Sequence, residues 1–297
     1  MKQFCTHIVI LMMIIAGMNN TTQAQNFRVV DANKSKNANP SNNSLLGLFP
    51  DNDQGNIYDW GHADTYYAVL NGIAYFSADD GAHGAELWRS DGTEKGTFMV
   101  KDINPGTATS NINDITISGG KIFFSATDGA KVQGIWITDG TAQGTQPVTD
   151  IGAVGSANPS YLTDVNGVLY FFTDNYYYGY QASQLWKTNG TPAGTELITD
   201  FYFGGGFNFG SQGRQITNVN GHVFFSMSNY GWAPELGFSD GTNAGTIILD
   251  SINSLGSGSN PTYLTSFNGS LYFSAFDGTG FHLWTSDGTT AGTHRIN

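Results

Sequence analysis

The chain has 297 residues, 39 of them glycine, with 13% aromatic and 12% charged side chains. This composition suits many short strands joined by tight turns and excludes a mainly helical or disordered protein. The formal net charge of −12 disfavours nucleic acid and anionic membrane surfaces, both of which call for clustered Lys and Arg.

Residues 1–24 read as a secretory signal peptide. Lys2 supplies the positive start, Ile8 to Ala16 an apolar run too short to span a bilayer, and Thr22-Gln23-Ala24 a cleavage site. Cys5, the only cysteine, lies inside it, so the mature chain has no disulfide, cysteine zinc site or cysteine nucleophile. The expected address is therefore extracellular or cell-surface.

Residues 25–67 are expected to hold a closing strand and a flexible connector. Phe27-Arg28-Val29-Val30-Asp31-Ala32-Asn33 aligns with Phe98-Met99-Val100-Lys101-Asp102-Ile103-Asn104, and residues 33–56 are rich in Asn, Ser, Lys and Gly. The segment 27–33 thus has the sequence of a fourth strand with no blade before it. At the other end, Gly292 to Asn297 stops within a fourth strand. Either the N-terminal strand completes the last blade, or the sequence is a fragment of a longer chain. The second reading is preferred.

Residues 68–297 carry one phrase five times. Its Asp-Gly-Thr or Asn-Gly-Thr step falls at 91, 139, 189, 240 and 287, spacings of 48, 50, 51 and 47. A period near fifty is one supersecondary unit copied and stacked. In the third copy, Tyr161–Val165 alternates as a strand, Asn166-Gly167 is a two-residue hairpin turn, and Val168–Phe172 is a nearly continuous apolar strand. Gln184–Lys187 and Glu196–Thr199 follow as third and fourth strands. The predicted fold is all-β: a β-propeller of five four-stranded antiparallel blades of about 49 residues, open to being part of a larger ring.

The tryptophan of each third strand (Trp88, Trp136, Trp186, Trp284) reads as inter-blade packing, with Phe238 as its substitute in the fourth copy. The repeated Asp reads as turn chemistry, since Asp or Asn before Gly favours a tight turn. One carboxylate per turn is too few for a calcium ion. Asp51-Asn52-Asp53-Gln54-Gly55 has only a weak calcium-loop flavour, so no metal and no cofactor is expected.

Spelled by Glu86-Leu87-Trp88-Arg89-Ser90-Asp91-Gly92-Thr93, the phrase resembles the ELWxxDGT repeat family over about residues 68–297. The resemblance implies exported bacterial proteins with propeller-like repeats, many surface-borne and often carrying a C-terminal sorting domain. It implies no defined enzymatic activity and supplies no catalytic residues. This chain departs from it at Gly134 and Gln184, where the family has Glu, and at Gly237-Phe238.

Function is sought where the copies differ. Asn175 to Gln181, with Tyr176, Tyr177, Tyr178 and Tyr180, fills the second-to-third loop of copy three. Tyr202, Phe203, Phe207 and Phe209 lie in the link to copy four, whose own loop adds Tyr230 and Trp232. These ten rings are expected to share one face, where aromatic rings on glycine-rich loops suit sugar faces or an apolar protein partner.

Enzyme signals are poor. His62, His83, His222, His282 and His294 form no metalloprotease pair, and there is no Gly-x-Ser-x-Gly elbow or phosphate loop. Ser77-Ala78-Asp79-Asp80-Gly81 starts like a sialidase box, but Trp88 arrives too late. Glu86 and Glu235 are the only carboxylates worth testing as a hydrolase pair, and a solvated strand-edge role is preferred for both. The sequence therefore points to a monomeric, non-catalytic binding module for a glycan or a protein. The alternatives are a carbohydrate-active hydrolase or lyase with its site at the propeller mouth, and a structural spacer in a longer surface protein.

Overall fold

The computed structural model describes residues 67–130, 133–148, 158–177, 180–202, 215–227, 234–249, 252–253 and 258–296. The expected signal peptide, and all but the last residue of the expected closing strand and connector, lie outside them.

Among the described residues, twenty strands form five four-stranded sheets, each ordered as a simple meander. The first holds β1 (Tyr67–Leu70), β2 (Ile73–Asp79), β3 (Ala85–Ser90) and β4 (Phe98–Lys101). The second holds β5 (Asn113–Ser118), β6 (Lys121–Ala126), β7 (Gly134–Thr138) and β8 (Gln146–Pro147). In the third are β9 (Ser160–Val165), β10 (Val168–Tyr177), β11 (Tyr180–Thr188) and β12 (Thr195–Tyr202). The fourth comprises β13 (Ile216–Val219), β14 (His222–Met227), β15 (Glu235–Ser239) and β16 (Thr246–Leu249). The fifth comprises β17 (Thr262–Phe267), β18 (Ser270–Phe276), β19 (Phe281–Ser286) and β20 (His294–Arg295). This is the blade architecture the repeat predicts. Two compact units divide the chain after Pro147, so the first contains two blades and the second three.

The first hairpins turn as their sequences require. Asn71 and Gly72 have φ of 52° and 78°, and Asn166-Gly167, Asn220-Gly221 and Asn268-Gly269 match them. Both central residues are left-handed, the geometry that suits the twist of the flanking strands.

Packing follows from strand alternation. In the first unit, Tyr75, Leu87 and Val100 from one blade meet Ile122, Phe124 and Trp136 from the next. In the second unit, Tyr170, Phe172 and Leu185 meet Val223, Phe225 and Met227. Phe224 and Leu236 then meet Leu271, Phe273 and Trp284. In these three contacts one face of the earlier blade leads and the opposite face of the later blade receives. Trp136 and Trp284 sit in these inter-blade cores, as the sequence reading expects.

The fourth copy corrects that reading. Gly237, not Phe238, occupies the tryptophan position: it lies opposite Phe225, as Trp88 lies opposite Phe76 and Trp284 opposite Phe273. A Cβ on Gly237 would run into the Phe225 ring, so that ring fills the space the indole leaves. Phe238 instead stands where Arg89 and Lys187 stand in their blades, and its ring lies against Gly288 of the next blade.

Candidate functional site

The Asp-Gly-Thr turn is a closed hydrogen-bond device. Asp91 Oδ1 accepts from Thr93 N at 2.9 Å and from Thr93 Oγ1 at 2.7 Å. The Thr93 hydroxyl accepts from Gly96 N at 3.0 Å, and Thr97 Oγ1 donates to Thr93 O at 2.7 Å. The bonds repeat at Asp139, Asn189, Asp240 and Asp287. The glycine after each Asp or Asn has a φ between 86° and 92°, which an L side chain resists. Hydrogen bonds from the threonine hydroxyl, then from its amide, hold Asp91, Asp139, Asp240 and Asp287 below the ordinary aspartate range. An oxygen that already accepts two bonds inside its own turn serves the fold, as the turn reading expects.

Glu86 overturns the expectation of a solvated edge. It is fully buried. Its Oε2 accepts from Ser110 Oγ at 2.5 Å and from Ile103 N at 2.9 Å, and Oε1 accepts from Asn104 N at 3.3 Å. The carboxylate therefore straps β3 to the segment that leads into the next blade. Burial, outweighing those bonds, pushes its pKa up. Glu235 receives the Ser259 hydroxyl in the corresponding way. At the same place in the third copy, Gln184 Nε2 donates to Asp200 Oδ1 at 2.5 Å, and its Oε1 accepts from Thr173 Oγ1 at 3.2 Å. His282 takes this place in the fifth, 3.7 Å from Asp277. Both acids proposed for catalysis are thus engaged in structure, each within its own unit.

Sequence reading also missed a second inter-blade strap. Arg89 Nη1 donates to Gly140 O at 3.3 Å, and Lys187 Nζ to Gly241 O at 2.9 Å. Each basic residue follows the tryptophan and reaches the glycine of the next blade's turn. A basic residue recurring at that place in two copies was the available signal.

The aromatic insertion is not a loop. β10 runs for 10 residues and β11 for 9, whereas the other second strands have 6 or 7. Register continues through Asp174↔Ser183, Asn175↔Ala182, Tyr176↔Gln181 and Tyr177↔Tyr180, so only residues 178 and 179 separate the strands. β12 follows the extension, with Ser183↔Phe201 and Ala182↔Tyr202. The third blade is therefore taller than its neighbours by a three-stranded ladder. Tyr176, Tyr177, Tyr180 and Tyr202 have their backbones on it. Tyr178, Phe203, Phe207, Phe209, Tyr230 and Trp232 lie outside the described residues.

No group of three or more His, Cys, Asp or Glu side chains suited to a metal ion occurs among the described residues. Nor does any helix among them reach the length and apolarity needed to cross a membrane.

Fold and turns together define a β-propeller repeat protein. No family model and no curated protein matches the chain. Solved structures do resemble it. The β-propeller domain of the Trilobed protease from Pyrococcus furiosus is 11% identical with a TM-score of 0.44, over 78% of this chain and 70% of that one. Puromycin hydrolase is 15% identical with a TM-score of 0.43, over 78% of this chain and 39% of that one. An endo-arabinase from Bacteroides thetaiotaomicron is 13% identical with a TM-score of 0.35, over 78% and 93%. The expectation that the chain is not an enzyme is corrected here. The solved structures similar to it include a puromycin hydrolase and an endo-arabinase, and blade architecture by itself neither assigns nor excludes an activity.

Proposed function

We propose that this is an exported propeller protein that binds a carbohydrate chain through the tall third blade and the aromatic segments around it. The observation that carries the reading is the extension of β10 and β11 past the height of the other blades, in the stretch where the sequence concentrates tyrosine. A paired ladder holds such residues at fixed spacing, which reduces the entropy lost on binding. Tyrosine offers a ring face to sugar C–H groups and a hydroxyl for hydrogen bonding. The acidic chain, at −12, favours a neutral glycan over an anionic one. The resemblance of the repeats to the ELWxxDGT family and the signal-like sequence of residues 1–24 support the exported setting. A protein partner is the competing occupant of the same surface.

The test is retention on an array of neutral polysaccharides. Tyr177→Ala combined with Trp232→Ala is expected to lower retention at least tenfold with an unchanged melting temperature. Retention and melting temperature falling together would show that these rings roof the blades instead. Retention that survives in the folded double variant would reject the site.

A further inference from the structure

The step Asn-Gly occurs five times, at 71, 166, 189, 220 and 268. It is the peptide step most open to spontaneous attack on a carboxamide, because glycine places no side chain beside its own amide nitrogen. The reaction needs that nitrogen released from other bonds, reachable by water and able to turn toward the asparagine Cγ. The five sites differ in all three respects.

Three are clamped. Gly167 N donates to Asp164 Oδ1 at 3.1 Å, Gly221 N to Asn218 Oδ1 at 2.9 Å, and Gly190 N to Thr188 Oγ1 at 3.0 Å. In the first two, the acceptor stands two residues before the asparagine and holds the hairpin turn shut. The carboxamides are held as well. Asn189 Oδ1 accepts from Thr191 N and Oγ1, and Asn220 Nδ2 donates to Gly269 O at 2.9 Å. Asn166 Nδ2 lies so close to Gly221 that a Cβ there would run into it. All three glycines of these steps are half-buried.

Asn71 is placed differently. Val69 stands where Asp164 and Asn218 stand in their blades, and its side chain has no oxygen to offer. Asn71 and Gly72 are both exposed, and a Cβ on Gly72 would meet no atom within 4 Å. The corresponding turn glycine of the next blade, Gly120, is equally open, so no carboxamide is seated on it as Asn166 is seated on Gly221. Asn268 is intermediate: Ser266 stands in the place of Val69, and Gly269 receives Asn220 on its carbonyl.

We propose that Asn71 is a site of spontaneous deamidation in the folded chain, and the first of the five to react. The Gly72 nitrogen gives its proton to water or hydroxide and attacks Asn71 Cγ. A new C–N bond closes a five-membered imide, the bond from Cγ to the carboxamide nitrogen breaks, and ammonia leaves. Water then opens the ring at either carbonyl, leaving aspartate or isoaspartate at position 71. Either product adds a carboxylate. Isoaspartate also lengthens by one methylene the turn that sets the register of β1 on β2 from Leu70↔Ile73 to Tyr67↔Phe76. This modification is independent of any glycan site.

Incubation of the purified, folded chain at mildly alkaline pH in water enriched in oxygen-18, followed by peptide mapping, tests it. Label is expected at position 71 roughly five- to tenfold faster than at 166, 189 or 220, the factor set by one hydrogen bond that must break first. In urea the rates at 71, 166 and 220 should converge, because the chain around each is then equally free. Val69→Asp supplies the missing acceptor and is expected to slow position 71 to the rate of position 166. Where that variant fails to fold, Asp164→Val decides, and it should accelerate position 166. Folded-state labelling at 71 no faster than at 166 and 220 overturns the proposal. So does a folded variant that leaves the rate of its own turn unchanged.

Discussion

Gly237 and Phe225 exchange volume across one rung of the fourth blade. The tryptophan rule predicts a large ring on β15, and the structure puts the ring on β14 instead. Gly237→Ala is expected to cost about 1–3 kcal/mol by overpacking, read as a lower midpoint in urea unfolding. Because Phe225 takes up the indole's space, Gly237→Trp together with Phe225→Ala should be better tolerated than either change alone. The sequence showed Phe238 beside the vacancy and invited the wrong assignment. Counting back from Asp240 places Gly237 in register with Trp88, so the signal was present in spacing but hidden by residue type.

Glu86 teaches a different lesson at the same scale. A glutamate at a strand start reads as solvated, because buried carboxylates are rare. Burial was not legible, since the three groups that bond it come from residues 17 to 24 places later. Its raised pKa means that folding favours the protonated form. The stability it contributes is greatest below the ordinary glutamate range and declines as pH rises through the raised value. Thermal melts of wild type minus Glu86→Gln between pH 4 and 7 should show that decline, and the variant should lack it. Parallel curves would show that the carboxyl ionises in the fold as freely as in the unfolded chain.

At the scale of the element, hairpins and turns were nearly transparent in the sequence. Asn-Gly and Asp-Gly steps demand left-handed backbone, and the structure supplies it at each. The turn threonines bind their aspartates locally, so no tertiary information is needed to place them. β10 and β11 were only half legible. Tyrosine-rich segments read equally well as loop or as strand, and the pairing of Tyr177 with Tyr180 is decided by how far the ladder runs. Insertion was therefore predicted where the structure has extension. The ten-ring cluster remains a proposal built on that ladder.

At the scale of the whole molecule, the repeat period predicts the number and order of the blades found among the described residues, because each spacing contains one complete meander. It does not tell which repeated positions are buried. Phe267, Phe281 and Leu283 look like core residues in sequence but are exposed, whereas Leu87, Leu185 and Leu236, the counterparts of Leu283, are buried.

The turn aspartates also govern the charge of the molecule in acid. Asp277 adds to them: the Thr279 hydroxyl and amide hold it down to about 2. These carboxylates keep their charge to lower pH in the folded chain than in the unfolded one, while Glu86 works the other way. Folding should therefore carry the isoelectric point below the composition value of 4.6. Native isoelectric focusing is expected to give a more acidic band than focusing in urea, so the threonines that close the four Asp-Gly-Thr turns would also help set where the whole protein stops in an electric field.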